Sequence, residues 1–168
     1  MKVEIVPVCY TWDSSFDFTL DLREIDKREA RAFMGVEPMR ALILTLVESH
    51  ESWAIMQGDK VQGFFGVCLG DGYGIPWFVS NKELIQNKKL TFIKRSKKIV
   101  DKMLKTYGKL LNYVSSENTA AIKWLKWLGF TIHRKEVCFY VPDIFFRKFE
   151  MKVGDRIDYG SFTGTDAS

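Results

Sequence analysis

The most informative part of the sequence reads Asn118-Thr-Ala-Ala-Ile-Lys-Trp-Leu-Lys-Trp-Leu-Gly-Phe130. Asn is one of the residue types that cap the N-terminus of a helix, because its side chain accepts a hydrogen bond from a free backbone N–H. Gly129 is the residue type that most often ends a helix in the left-handed conformation. The stretch therefore predicts a capped amphipathic helix, Asn118–Leu128, followed directly by a strand.

The residues before this helix predict a second helix and a strand. Leu90–Tyr107 carries an apolar stripe at helical spacing, with lysines on its other faces, and Gly108 ends it. Leu110–Val114 is a short apolar run, which is typical of a buried strand. A helix that connects two strands favours a parallel arrangement of those strands.

An antiparallel meander is predicted in the middle of the chain. Its strands are separated by the turn signals Gly58-Asp59 and Gly70-Asp71-Gly72. Pro76 lies in the third strand and cannot donate a hydrogen bond, so we expect an irregular or unpaired position there. The predicted strands are Ser52–Met56, Val61–Leu69 and Tyr73–Ser80.

The two ends of the chain complete the predicted order. We expect a first strand, then a helix that is continuous or in two pieces, then a helix that begins near Pro38. After the Asn118 helix we expect two strands, with Asp143–Glu150 either extending the last strand or turning helical. These elements are Val3–Cys9, Phe16–Met34, Met39–Ser49, Phe130–Arg134 and Val137–Val141. The order β-α-α-β-β-β-α-β-α-β-β predicts an α+β fold with a mixed sheet and helices on both faces. We expect one domain over residues 1–150 and a partly mobile tail over 151–168.

The composition indicates a globular chain. Hydrophobic residues make up 46% of the 168 residues and charged residues 27%. No apolar run approaches the roughly 18 residues that span a bilayer, and the first ten residues do not resemble a signal peptide. The three cysteines are expected to be buried thiols in a reducing compartment. They have no Cys/His spacing typical of a zinc site, so no metal site is predicted.

The positive charge is concentrated in one segment. Residues 82–109 hold ten basic and two acidic side chains, a local charge of +8, whereas the whole chain carries +4. Such a segment can contact phosphates, anionic lipid or an acidic partner.

The element order and the Asn118–Phe130 stretch resemble the GCN5-related N-acetyltransferase (GNAT) fold. The shared pattern is Asn-x-x-Ala, then a helix that ends in Gly-Phe, and Asn118, Ala121, Gly129 and Phe130 occupy its positions. The resemblance implies a fold that holds acetyl-coenzyme A or coenzyme A. It implies coenzyme contacts at Val79, Lys88, Lys89 and Asn118.

A narrower resemblance points to a group of phage GNAT-like proteins, and within it to the small internal virion proteins of short-tailed coliphages. It covers roughly residues 1–145 and implies viral structural proteins as partners, in the host cytoplasm or the virion interior. The matching positions include Leu22-Arg23, Asp26, Glu29, Gly35, Ala41-Leu42, Phe65-Gly66, Trp77-Phe78-Val79, Asp101–Tyr107, Asn112–Val114 and Asn118-Thr119.

The sequence departs from the GNAT pattern where the coenzyme pyrophosphate is held. The family uses a glycine-containing turn into the third helix, since glycines let backbone N–H groups approach phosphates closely. The equivalent stretch, Ser80–Thr91, contains no glycine, and Lys89 and Thr91 stand at the glycine positions if Gln86 begins the motif. Lys88 and Lys89 offer partial compensation, because ammonium groups bind phosphate as point charges.

The residues that would carry the chemistry also differ. A Tyr seven residues after the motif Asn usually protonates the leaving thiolate in this fold, and Leu125 occupies that position. Tyr73–Asn81 contains no acid that could act as a base. We therefore assign no catalytic residue. The leading hypothesis is a catalytically degenerate protein that acts through protein contacts in virion assembly. The alternatives are an active N-acetyltransferase with an atypical loop, and nucleic-acid contact through the basic segment, chiefly helix 88–105.

Overall fold

The computed structural model describes residues 3–8, 21–87 and 89–155. Seven strands form one mixed sheet in the order β1-β2-β3-β4-β5-β7-β6. The strands are β1 (Val3–Pro7), β2 (Ser49–Gln57), β3 (Lys60–Leu69), β4 (Gly74–Ser80), β5 (Lys109–Ser115), β6 (Thr131–Val137) and β7 (Phe146–Lys152). The helices are α1 (Glu24–Met34), α2 (Pro38–Glu48), α3 (Lys82–Asn87), α4 (Lys89–Tyr107) and α5 (Thr119–Leu128).

The predicted meander is confirmed. β2, β3 and β4 pair in antiparallel fashion, and β1 adds to the outer edge of β2. Side chains alternate between the two faces of a strand. On β3, Phe64 therefore packs with Leu22, Leu42 and Ala54, whereas Phe65 packs on the opposite face with residues of α4 and α5.

Helices accordingly cover both faces of the sheet, as predicted. The larger core includes Val100, Met103 and Leu104 of α4 together with Leu125 and Leu128 of α5. Burying side chains of this size stabilises the fold by about 1.5 to 3 kcal/mol each. None of the described helices is long and apolar enough to cross a membrane.

The helix α5 forms as its sequence predicts. The Asn118 side chain accepts a hydrogen bond from the Ala121 N–H at 3.2 Å, which is the expected N-cap. Gly129 ends the helix with φ of 104°, a backbone conformation that L-residues with side chains rarely adopt. These two ends fix the direction in which the chain enters β6.

The structure corrects the prediction of two local elements and decides a third that was left open. The short helix α3 was missed, because it spans only six residues and lacks a long apolar period. Residues 131–137 form one strand instead of parts of two, because β6 is the outermost strand and tolerates its polar residues there. Of the two alternatives left open for Asp143–Glu150, the structure has a strand, Phe146–Lys152, which is separated from β6 by an irregular segment that contains Pro142 and a positive-φ Asp143.

The end of β7 bears on the C-terminal part of the chain. Met151 is fully buried in the larger core, so the sheet continues just past residue 150. The division into a domain over 1–150 and a tail over 151–168 stays a prediction, and residues 156–168 lie outside the described ranges.

Of the cysteines, Cys68 is half-buried and Cys138 is exposed. The prediction of a buried Cys138 was wrong, because this residue follows β6 in the irregular segment. Cys9 lies outside the described residues.

Candidate functional site

The sheet splits between β4 and β5. These parallel strands pair only at Gly74 and Leu110, whereas the ladders on either side, β3–β4 and β5–β7, each contain seven pairs. A Cβ at Gly74 would lie 2.9 Å from Val67 Cγ2 and 3.0 Å from Tyr107 Cγ, so a glycine allows the strands to meet there. Beyond this point the strands diverge, and a cavity of about 1020 Å³ runs through the sheet.

A side chain bridges the split. Asn112 of β5 donates from Nδ2 to the carbonyl oxygen of Pro76 on β4 at 2.8 Å, and its Oδ1 accepts from the Tyr113 N–H at 2.7 Å. Pro76 itself pairs in register with Val67 on β3. The expected irregularity at Pro76 therefore lies on its β5 side, where the ladder stops.

The predicted pyrophosphate segment is helical. Asn81 follows β4 and accepts a hydrogen bond from the Leu84 N–H through its Oδ1 at 2.9 Å. Leu84 is 2% exposed and belongs to the larger core. The Leu84 N–H is thus already bonded within the chain and is not available to a phosphate. Lys89 begins α4, and Lys88 lies outside the described residues.

Two of the four predicted coenzyme contacts line the cavity. Val79 is half-buried on β4 and packs with the smaller core, and Asn118 caps α5 on the other side of the split. The Asn118 amide is bonded at both ends, because its Nδ2 donates to Glu29 Oε1 at 3.0 Å while its Oδ1 caps the helix. Coenzyme binding at Val79, Lys88, Lys89 and Asn118 stays a prediction.

An aromatic cluster lies between β4, α4 and α5. The ring centroid of Phe78 is 5.2 Å from that of Phe92 and 5.3 Å from that of Trp124. The Trp124 indole N–H is buried and has no hydrogen-bond partner within the described ranges. The resemblance implies a proton donor at position 125. Leu125 occupies that position, is buried in the core and can donate no proton.

The structure adds two acids from α1, the buried Asp26 and the half-buried Glu29, which both line the cavity. Burial raises the pKa of Asp26 despite its two hydrogen bonds with Arg23, at 2.7 and 2.8 Å. Burial likewise raises the pKa of Glu29, and the nearby Asp26 charge raises it further. Glu29 also accepts from the Ser115 N–H at 3.3 Å. A carboxyl with a raised pKa beside a cavity is typical of a proton-transfer group or of a buried structural acid.

Sequence reasoning gave Asp26 and Glu29 no role, although both belong to the resemblance. The resemblance implies a base on or near β4, where Tyr73–Asn81 contains no acid, and the sequence of α1 predicts only an amphipathic helix. The available signal was their spacing of three residues, which places both carboxyls on one side of a helix. Within the described residues, no three His, Cys, Asp or Glu side chains form a group that could hold a metal ion.

A second aromatic cluster closes the cavity on the side of α1. Phe33 of α1 lies 4.5 Å from Phe139 and 5.6 Å from Phe146, measured between ring centroids. Tyr113 of β5 joins them at 5.2 Å from Phe139. The segment between β6 and β7 is held in place by the Tyr140 N–H, which donates to the Ala32 carbonyl oxygen at 3.0 Å. Phe33, Tyr113 and Phe146 line the cavity, and the segment between β6 and β7 packs behind them through Phe139.

The fold that carries this split sheet is that of the GNAT acetyltransferases, as solved structures show. Spermidine N-acetyltransferase from Vibrio cholerae superposes with a TM-score of 0.63 at 13% identity, over 91% of this chain and 96% of that one. The ribosomal-protein-S18-alanine N-acetyltransferase from Escherichia coli gives 0.61 at 13% identity, over 99% of both chains. The IAA acetyltransferase from Bacillus cereus gives 0.58 at 13% identity, over 90% and 99%. At these identities the likeness shows the fold alone.

A sequence comparison adds a similarity to a phage protein family over slightly less than half of the chain. Residues 58–137 match the family model described as "Bacteriophage T7, probable scaffold protein Gp13". The matched region runs from the β2–β3 turn to the end of β6, so it contains both strands of the split. A search of curated proteins found no match.

Proposed function

We propose that this chain is a phage protein that uses the GNAT fold without its acetyl-transfer chemistry and acts through protein contacts during particle assembly. The observation that carries the proposal is the segment after β4. It contains no glycine, forms the capped helix α3, and uses the Leu84 N–H within the chain. The match to a family of phage scaffold proteins supplies the assembly context.

The side chains at the expected acid and coenzyme positions of the cavity support the same proposal. Leu125 occupies the position of the usual acid, and its side chain is buried in the core. The coenzyme contact predicted at Asn118 competes with two hydrogen bonds that the side chain already makes. Coenzyme binding would have to break at least one of them, at a net cost of about 1 kcal/mol or more.

The first test is a calorimetric titration of the purified chain with acetyl-coenzyme A. We expect no detectable heat up to about millimolar ligand, which corresponds to a binding free energy weaker than about −4 kcal/mol. The matched variant is Lys89→Gly with Thr91→Gly, which returns glycines to the motif positions. Micromolar binding by the unchanged chain would overturn the proposal. Binding by the glycine variant alone would show that the cleft itself still fits the coenzyme.

The assembly role has its own test. Quantitative mass spectrometry of purified particles from the encoding phage measures how many copies of the chain each particle retains. We expect the chain in the particle interior or in assembly intermediates, with the host cytoplasm as the site of synthesis. A particle that assembles normally and never contains the chain at any stage would contradict the proposal.

An acetyl-coenzyme A-dependent N-acetyltransferase is the second candidate. It is favoured by the cavity of about 1020 Å³ and by Glu29, a half-buried acid with a raised pKa on the cavity wall. If the chain transfers acetyl groups, Glu29→Gln should reduce the rate by about 10²-fold or more, because proton transfer contributes about that factor. Unchanged turnover in that variant would remove Glu29 from the chemistry. Contact of the basic segment with nucleic acid is a third hypothesis.

A further inference from the structure

The outer surface of α4 and α5 carries a concentration of positive charge, which we name the basic face. At 100° per residue, its α4 members fall within an arc of about 160°, opposite the buried stripe of the same helix. All its cations are exposed. Its members are Lys94, Arg95, Lys97, Lys98, Lys102 and Lys105 of α4, with Lys123 and Lys126 of α5.

Almost no negative charge offsets this face. α4 contains one acid, the half-buried Asp101, which already interacts within the chain, and α5 contains none. No ion pair formed within residues 3–8, 21–87 and 89–155 involves any cation of the basic face. Arg95 donates to the Val3 carbonyl oxygen at 3.0 Å, so the lysines supply most of the unneutralised charge.

An exposed tryptophan lies among these lysines. Trp127 of α5 is 48% exposed, and the Lys97 ammonium of α4 lies 5.3 Å from its ring centroid. Lys123 precedes Trp127 by four residues, so the two side chains are neighbours on the surface of α5. Trp127 is thus an aromatic surface flanked by cations from two helices.

We propose that the basic face binds single-stranded nucleic acid, with phosphates on its lysines and an unpaired base stacked on Trp127. Base stacking on an aromatic side chain, combined with a positive track for the backbone, is the usual chemistry of sequence-independent single-strand binding. Lysine meets phosphate as a point charge, whereas carboxylate partners favour the bidentate fork of arginine, which occurs once on this face. A membrane-binding helix would expose apolar residues, but Val100, Met103 and Leu104 of α4 are buried.

The test measures fluorescence anisotropy of a labelled 20-nucleotide thymidine strand and of a duplex of equal length. At physiological salt the single strand should bind with a dissociation constant of about 1 to 100 micromolar. Four to six phosphate contacts predict that the logarithm of the association constant falls against the logarithm of salt with a slope of about −3 to −4. The duplex should bind more weakly, because its bases cannot stack on Trp127.

The variants separate charge from stacking. Trp127→Ala should weaken single-strand binding about tenfold and leave the salt slope unchanged. Lys98→Gln with Lys102→Gln should make the slope shallower by about 1.4. The controls remove the same charge and a similar aromatic elsewhere: Lys135→Gln with Lys152→Gln, and Phe145→Ala, all at exposed positions. Thermal unfolding of each variant confirms that it is folded.

Three results would overturn the proposal. The first is no binding of the single strand at about 50 mM salt. The second is an equal loss in the control variants, which would mean that only net charge matters. The third is tighter binding to polyglutamate or to vesicles of anionic lipid than to the strand, with the same dependence on Lys98 and Lys102, which would assign the face to an acidic protein or a membrane surface.

Discussion

Asn118 connects the start of α5 to the half-buried Glu29 of α1, and removing that connection should destabilise the protein far more than an ordinary cap substitution. Asn118→Ala deletes the acceptor for the Ala121 N–H, which costs about 1 kcal/mol. It also deletes the donor to Glu29 Oε1, and a hydrogen bond to a charged group contributes about 1.5 to 3 kcal/mol. The sum is about 2.5 to 4 kcal/mol of unfolding free energy.

Urea unfolding followed by circular dichroism measures this difference. With a slope of about 2 kcal/mol per molar urea, the midpoint should fall by about 1.2 to 2 M. Asn81→Ala is the matched control, because Asn81 also caps a helix through Oδ1 and donates from Nδ2, but to the neutral side chain of Gln62 at 3.0 Å. We expect Asn81→Ala to cost less than Asn118→Ala.

A pair of swaps tests the contact itself. Asn118→Asp keeps a good N-cap acceptor and turns a second carboxylate toward Glu29, so it should destabilise the protein. Adding Glu29→Gln to that variant restores the hydrogen bond in the opposite direction, because the amide at position 29 now donates to the carboxylate at position 118. Most of the lost stability should therefore return. A cost of 1 kcal/mol or less for Asn118→Ala, or additive effects of substitutions at Asn118 and Glu29, would refute the reasoning.

Three further predictions concern the acid Glu29, the glycine Gly74 at the β4–β5 pairing and the core residue Phe64. Glu29 has its pKa raised in the folded state, so the folded protein binds more protons than the unfolded chain as pH rises through that range. The stability contribution of protonated Glu29 is therefore full below the unfolded pKa of about 4.3 and is lost as pH rises through the raised folded pKa. Glu29→Gln should thus unfold at higher urea than the unchanged chain at pH 7 but not at pH 3, and equal midpoints at pH 7 would contradict this. Gly74→Ala should lower the melting temperature, because its Cβ would lie under 3.0 Å from Val67, whereas Gly72→Ala adds no close contact and tests the effect of the left-handed backbone alone. Phe64→Ala removes a fully buried side chain and should cost about 3 to 5 kcal/mol by denaturant unfolding, and a cost below about 1 kcal/mol would place Phe64 outside the core.

The fold was predictable where local signals and tertiary packing agree. The cap and stop of α5, the apolar stripe of α4 and the turns of the meander are properties of neighbouring residues, and each produced the expected element. The bounds of β6 were not predictable, because β6 is an edge strand and carries polar residues that are equally typical of a loop. The six residues of α3 are too short to show a helical period.

The site was less predictable, because its polar contacts join distant parts of the chain. Glu29 and Asn118 are 89 residues apart, and no spacing rule connects them. The burial that raises the pKa of Glu29 comes from packing against the end of β5, which only the folded chain provides. Asn118 could be assigned as an N-cap from sequence, but its second bond could not.

The single pairing of Gly74 with Leu110 divides the sheet into two cooperative units. The strands β1 to β4 form one continuous ladder and β5, β7 and β6 another, so amide exchange in one unit need not open the other. Side chains of the larger core and the Asn112–Pro76 bond are what hold the units at their present angle. We therefore expect amide exchange to be slowest inside each ladder and faster at the seam between them, where Gly74 and Leu110 make the one β4–β5 pairing among the described residues.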